Sequence, residues 1–304
     1  MWTRFLRPFA VCTLGLASLS AHAEQNIEER LAADPHGSVE IDNVSGSVDL
    51  QGWDKPEVEV TGTAGSDVDR VAVTGDPAHI TVQVVSRRSR LWGSEASARL
   101  TVHVPANSAV SATVVSADLN VHGLTGDVKL QSVSGEVEGD VGGDVRAGSV
   151  SGNIHLSARN AKSIALKTVS GDIILSGGSG ETDMSSVSGT IKVEAGTQTR
   201  AHLKSVSGDI DATLGLGSES QLDGESVSGN IQLKLATIPA ADFDVQTLSG
   251  DIENCFGPKP VQAKLGPGSR LAFKVGDGHA RVQISTKSGD VRLCTAHIPT
   301  RPSA

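Results

Sequence analysis

Tyrosine is missing from this chain of 304 residues, and aromatic residues of all kinds make up only 3% of it. A core without rings must be built from Val, Ile, Leu and Ala. Exposed rings on which a sugar could stack are scarce for the same reason. Basic side chains are in deficit, with 26 Lys and Arg against 35 Asp and Glu and a formal net charge of −9. That field repels nucleic acid and anionic lipid, so neither is expected as a partner. Beyond the N-terminus no apolar run nears the roughly 20 residues needed to span a bilayer. No transmembrane segment is therefore expected after the N-terminal leader.

That leader occupies residues 1–23. Arg4 and Arg7 form a charged start, Phe9 to about Leu19 an apolar run, and Ala21-His22-Ala23 a small-x-small site. The pattern predicts a signal peptide cleaved after Ala23 and a periplasmic or secreted product. Loss of Arg4 and Arg7 leaves 24 basic residues against 35 acidic ones, a net charge of −11. Cys12 lies in the apolar run, in a poor context for lipid attachment. Cys255 and Cys294 remain, and an even pair in an exported chain suggests a disulfide.

What the sequence has in abundance is one hexapeptide. It reads Thr168-Val169-Ser170-Gly171-Asp172-Ile173, with copies centred on Gly135, Gly152, Gly189, Gly208, Gly229, Gly250 and Gly289. Successive glycines from Gly135 to Gly250 lie 17, 19, 18, 19, 21 and 21 residues apart. A period of about 20 residues marks a solenoid whose rungs stack on one another. Ile164, Leu166 and Thr168 share one parity, whereas Ile173 and Leu175 share the other. The inward face therefore switches at Ser170-Gly171, which needs a corner, and Gly supplies the unusual backbone angles. The predicted fold is all-β, a parallel β-solenoid of two or three short strands per rung. A β-sandwich of repeated hairpins is the alternative, and the fixed motif at a fixed period argues against it.

The expected organisation follows from where the motif holds and where it fails. Residues 24–112 form an N-terminal antiparallel β region, a first repeat at Val44-Ser45-Gly46 plus an insertion of alternating strands. Glu24 to Ala33 carries charge and some helical character. Residues 113–298 form the solenoid, with a capping excursion at 257–285 and a polar tail at 299–304. The last copy has Lys287 where others have Val or Leu, which suggests a terminal rung with no neighbour above it. Cys255 and Cys294 each lie five residues after a corner glycine. A full rung between them would separate them by roughly 9.6 Å, too far for a disulfide. Looping out of 257–285 would make the two copies adjacent and the bond feasible.

The Val-Ser-Gly-Asp-Ile repeats, Gly52-Trp53-Asp54 after an early Ser-Gly strand, and the closing Ser288-Gly289-Asp290-Val291 together resemble a known family. It is the bacterial putative-adhesin family of β-strand-repeat envelope proteins, a domain of unknown function. The resemblance spans nearly the whole chain after the leader. It implies a cell-envelope β-solenoid linked to surface adhesion or envelope stress, and it brings no catalytic residues.

Candidate chemistry is thin. The post-glycine positions Asp172, Asp209, Asp251 and Asp290, with Glu136, Asn153, Thr190 and Asn230 in other copies, could be a file of carboxylates for cations or sugars. Corner chemistry explains them better, since Asp and Asn accept backbone N–H groups in turns. No copy is singled out as a pair of catalytic carboxylates would be. The recurring serines have no recurring histidine to act as a base. His103, His122, His155 and His202 are isolated in sequence. Arg87, Arg88, Arg90 and Trp92 form a basic, aromatic-tipped loop, a candidate contact for an acidic partner. Trp53 is read as a packing residue. No enzyme, cofactor or metal is expected. The function expected is a structural or binding, adhesin-like module of the envelope, whose partner is an envelope protein or surface polymer. The alternative is a polysaccharide-binding or polysaccharide-processing β-helix.

Overall fold

The computed structural model describes residues 25–86, 97–262 and 268–296. All regular structure in these residues is β. A typical rung consists of two strands: Val145–Ser149 pairs in parallel with Val128–Ser132 on one side and Ser163–Ser170 on the other. After the corner, Ile154–Ser157 pairs likewise with Val137–Val141 and Ile173–Ser176. The chain thus winds as two parallel sheets that meet at the Ser-Gly corner, and their inward faces enclose the core. Alternation decides which side chains enter it. Ile164, Leu166 and Thr168 point in from one sheet and Ile173 and Leu175 from the other, all at most 5% exposed. The position after the corner forms an unbroken aliphatic ladder through Val137, Ile154, Ile173, Ile191, Ile210 and Ile231.

The two ends depart from chain order. The strand Ala280–Ser288 pairs in parallel with Ile210–Ser228 on one side and with Ala241–Ser249 on the other. Val291–Thr295 does the same between Ile231–Leu235 and Ile252–Asn254. The last rung in sequence is thus inserted beneath its predecessor. This corrects the expectation that Lys287 marks a terminal rung, because Lys287 lies in register between Val227 and Leu248. The reason is the size of Phe243, which stacks on Phe273 with ring centres 4.6 Å apart and also meets Phe256. A ring is too bulky for the aliphatic column, so its rung goes outermost, where the antiparallel strand Ser269–Lys274 covers it. The slimmer Val282 and Ile284 fit inside the stack.

Residues 257–285 consequently do not loop out as a block. Part of the segment caps the end, and residues 280–285 build the inserted rung. The insertion makes the rungs bearing Cys255 and Cys294 adjacent, and the two form a disulfide with Cα atoms 4.9 Å apart.

The N-terminal end mirrors this arrangement. Ser38–Trp53 pairs in parallel with Ala109–Leu124 on one side and with His79–Ser86 and Ser97–Pro105 on the other. The first rung in sequence is again second from the end. Glu57–Ala64 and Val68–Asp76 cover the outermost strands in antiparallel fashion. Parallel pairing begins before residue 113, since Ser38–Trp53 already pairs in parallel with His79–Ser86, Ser97–Pro105 and Ala109–Leu124. Helical character is not realised at Gln25–Ala32, which is a strand antiparallel to Glu57–Ala64 with Ile27 buried against the core.

Candidate functional site

The corner is the most repeated piece of chemistry in the molecule. Its first residue, Ser or Thr, is buried at Ser132, Ser149, Thr168, Ser186, Ser205, Ser226, Thr247 and Thr286. The hydroxyls of Ser132, Thr247 and Thr286 donate to the carbonyls of Gly135, Gly289 and Gly229. Ser132 braces its own corner and Thr247 and Thr286 tie theirs to the neighbouring rung, all closed off from solvent, which the sequence alone did not reveal.

Corner glycines answer mainly to space. Gly189, Gly250 and Gly289 adopt left-handed φ values of 152°, 153° and 146°. At Gly135, Gly152, Gly171, Gly208 and Gly229 the constraint is stacking: a Cβ there would collide with the carbonyl oxygen of the corner in the neighbouring rung.

The post-glycine side chains link rung to rung. Asn153 Oδ1 accepts from the Asp172 amide at 3.0 Å, and Asp172 Oδ1 from the Thr190 amide at 2.7 Å. Asp209 Oδ1 accepts from Asn230 N at 2.8 Å, Asn230 Oδ1 from Asp290 N at 2.9 Å, and Asp290 Oδ1 from Asp251 N at 2.8 Å. A short carbonyl-bearing side chain reaches the next amide, so one oxygen each of Asn153, Asp172, Asp209, Asn230 and Asp290 is spent along the stack. Among the described residues no group of three or more His, Cys, Asp or Glu side chains is placed to hold a metal ion.

The valine of each motif points outward. Val44, Val115, Val133, Val150, Val169, Val187, Val206 and Val227 are 39–47% exposed and stand one per rung. Eight valines at about 4.8 Å spacing make a continuous apolar ridge roughly 34 Å long. From Val115 to Val206 each is flanked by a valine above and below, and Val227 by Val206 and Lys287. Leu248, in the outermost rung, rises to 67% exposure because it has a neighbour on one side only.

The sheets also bring together side chains that are distant in sequence. His122 Nδ1 lies 2.9 Å from Asp140 Oδ1, and His155 Nδ1 lies 3.7 Å from Glu138. The His122 hydrogen bond, helped by the Gly123 amide, holds the Asp140 carboxyl below the usual carboxylate range. His103 stacks on Trp53 at 4.8 Å, and Lys55 sits over the indole. Ser38 Oγ lies 2.7 Å from His79 Nδ1. That last pair joins a hydroxyl to a potential base, but no carboxylate hydrogen-bonds His79 from its other side among the described residues, so the geometry falls short of a nucleophile–base–orienter set. Arg87, Arg88, Arg90 and Trp92 lie outside the described residues.

These features define a class: a repeat protein of the β-solenoid type, with parallel rungs, fold-back ends and chemistry spread along ladders. The chain belongs to the Toastrack DUF4097 family, whose model matches residues 37–294. No curated protein matches it. Among solved structures it is similar to a putative adhesin from Bacteroides fragilis, at 14% identity over 90% of this chain and 98% of the other, with a TM-score of 0.44. A putative adhesin from Parabacteroides distasonis is 15% identical over 90% and 98%, with a TM-score of 0.39. A putative lipid binding protein from the same organism is 13% identical over 88% and 96%, with a TM-score of 0.41. Among the described residues no helix is long and apolar enough to cross a membrane.

Proposed function

We propose that this protein is a non-catalytic, exported binding module of the bacterial cell envelope, adhesin-like, that holds an envelope protein or surface polymer along its valine ridge. The ridge is the observation that carries the reading. Exposed apolar patches of this length on an otherwise polar surface mark contact sites. Repetition of one chemistry per rung suits a long surface and suits catalysis poorly. Cleavage of a leader after Ala23 and oxidation of Cys255 with Cys294 fit the oxidising periplasm or cell exterior.

The test is site-specific photo-crosslinking in the bacterium. A photoreactive residue at Val169 or Val187 is expected to give an adduct of discrete size, while one at Lys192, on the outer face of the second sheet, gives none. Equal labelling from all three sites, or none from the ridge, overturns the assignment. N-terminal sequencing of the exported protein is expected to begin at Glu24.

A further inference from the structure

A groove of about 400 Å³ crosses the outer face of the first sheet. It runs over the starts of successive strands from Ser38 through Ala109 to Ser163. Those strands are four inter-strand steps apart, roughly 19 Å. The depression has a simple cause. Ala109 and Ser111 are short outward side chains on one rung, flanked by the longer Glu40 and His79 on one side and by Lys129 and Arg146 on the other.

Three properties of the groove limit what can fill it. Its floor is the interior of a sheet whose backbone groups are spent on pairing between neighbouring strands. An extended peptide would find no free edge to extend. Its charges nearly balance. Lys129 and Arg146 stand in register with no ion-pair partner among the described residues, and Glu40 and Asp127 oppose them. The Asp144 carboxylate is occupied by the backbone amides of Lys162 and Ser163. A strongly charged ligand of either sign would meet as much repulsion as attraction. The remaining polar groups are the hydroxyls of Ser111 and Ser163 and the hydrogen-bonded Ser38–His79 pair, beside the methyl of Ala109 and the valines that also line the groove. Dense donors and acceptors of both kinds around a small apolar floor match a neutral polyol.

We propose that this groove is a binding site for an uncharged oligosaccharide, with Ala109 as its floor and Ser111, Lys129 and Arg146 as its hydrogen-bonding groups. The site lies on a sheet face and the valine ridge on the corner edge, so the two are separate surfaces and can fail separately. A charged donor to a ligand hydroxyl is a strong hydrogen bond, and each lost partner should be visible in affinity.

The experiment is isothermal titration of the purified full-length mature protein with chitotetraose, cellotetraose, maltotetraose and, as an acidic contrast, tetragalacturonate. Saturable binding of at least one neutral tetrasaccharide, with Kd near or below about 1 mM, is expected. Ala109→Trp fills the floor, and Lys129→Ala removes a donor. Each should weaken that binding by about tenfold or more while the circular-dichroism melt stays unchanged. Lys192→Ala, on the other sheet, should bind as the parent does. Binding of tetragalacturonate alone, no binding by any of the four at about 10 mM, or full affinity in folded Ala109→Trp overturns the proposal. Ridge crosslinks from Val169 should persist in Ala109→Trp, which separates this site from the envelope-binding reading.

Discussion

Asp209 and Glu136 hold the same place in two rungs, yet only Asp209 reaches the amide of the next rung, through its Oδ1 at 2.8 Å from Asn230 N. One methylene separates a strut from a freely solvated carboxylate. Asp209→Ala should therefore cost about 1 kcal/mol, the usual worth of such a hydrogen bond, while Asp209→Asn keeps the acceptor and should stay within a few tenths; urea denaturation of both variants checks this. Asp42 is the opposite case. Burial, reinforced by Glu40, raises its pKa above the ordinary value. The folded state then holds that proton more tightly than the unfolded chain, so ionised Asp42 opposes folding at neutral pH and the penalty vanishes once both states are protonated. Asp42→Asn should raise the melting temperature at pH 7, and the gain should disappear below about pH 4. A gain that persists in acid would place the effect in packing instead. The Asp172, Asp209, Asp251 and Asp290 file was legible from the sequence as corner chemistry. Which amide donates to Asp172, Asp209 and Asp290 was not, because register lies between segments about 20 residues or more apart.

At the scale of elements the informative strand is Ala280–Ser288. Its motif, Thr286-Lys287-Ser288-Gly289-Asp290-Val291, identifies it as a rung, but nothing local says between which rungs it belongs. Every rung presents nearly the same ladder, so local preference is degenerate. The decision falls to Phe243, Phe256 and Phe273, whose cluster needs a lid and so an end position. The disulfide then fixes the order, tying residues separated by 39 in sequence. Replacing both cysteines by serine should cost about 2–4 kcal/mol. It should also raise hydrogen exchange selectively in residues 241–254 and 280–295. A loss spread evenly over all rungs would mean that the bond acts on the whole coil and not on the inserted rung.

For the whole molecule, stability should grade along the axis. Contacts in a solenoid are made with nearest neighbours, so interior rungs are held from both sides and end strands from one. Gln25–Ala32 pairs along one edge only and is mostly exposed, whereas Ile154, Leu156, Ile173 and Leu175 are fully buried. Amide exchange followed by mass spectrometry should show the slowest rates between about residues 145 and 235 and the fastest at Gln25–Ala32 and Val261–Gln262. Uniform protection would contradict a nearest-neighbour stack. The antiparallel covers at both ends also matter for the molecule as a unit. They occupy strand edges that would otherwise invite another chain to pair, and they leave the corner ridge and the sheet faces as the surfaces available to a partner.

The hexapeptide and its period were enough to determine the all-β class, the parallel coil, the corner and the inward ladders, because those depend on alternation and spacing within one repeat. The pairing of Cys255 with Cys294 was suggested there too, from their shared place in the motif. Tertiary structure alone decided the order of the rungs at both ends. It alone stacked the outward motif valines into one ridge, brought His79 to Ser38, and opened the groove over Ala109. Each of these rests on which rung lies beside which. In a chain of near-identical rungs that is settled by the few bulky or small side chains that break the repeat, acting across distances no local pattern records.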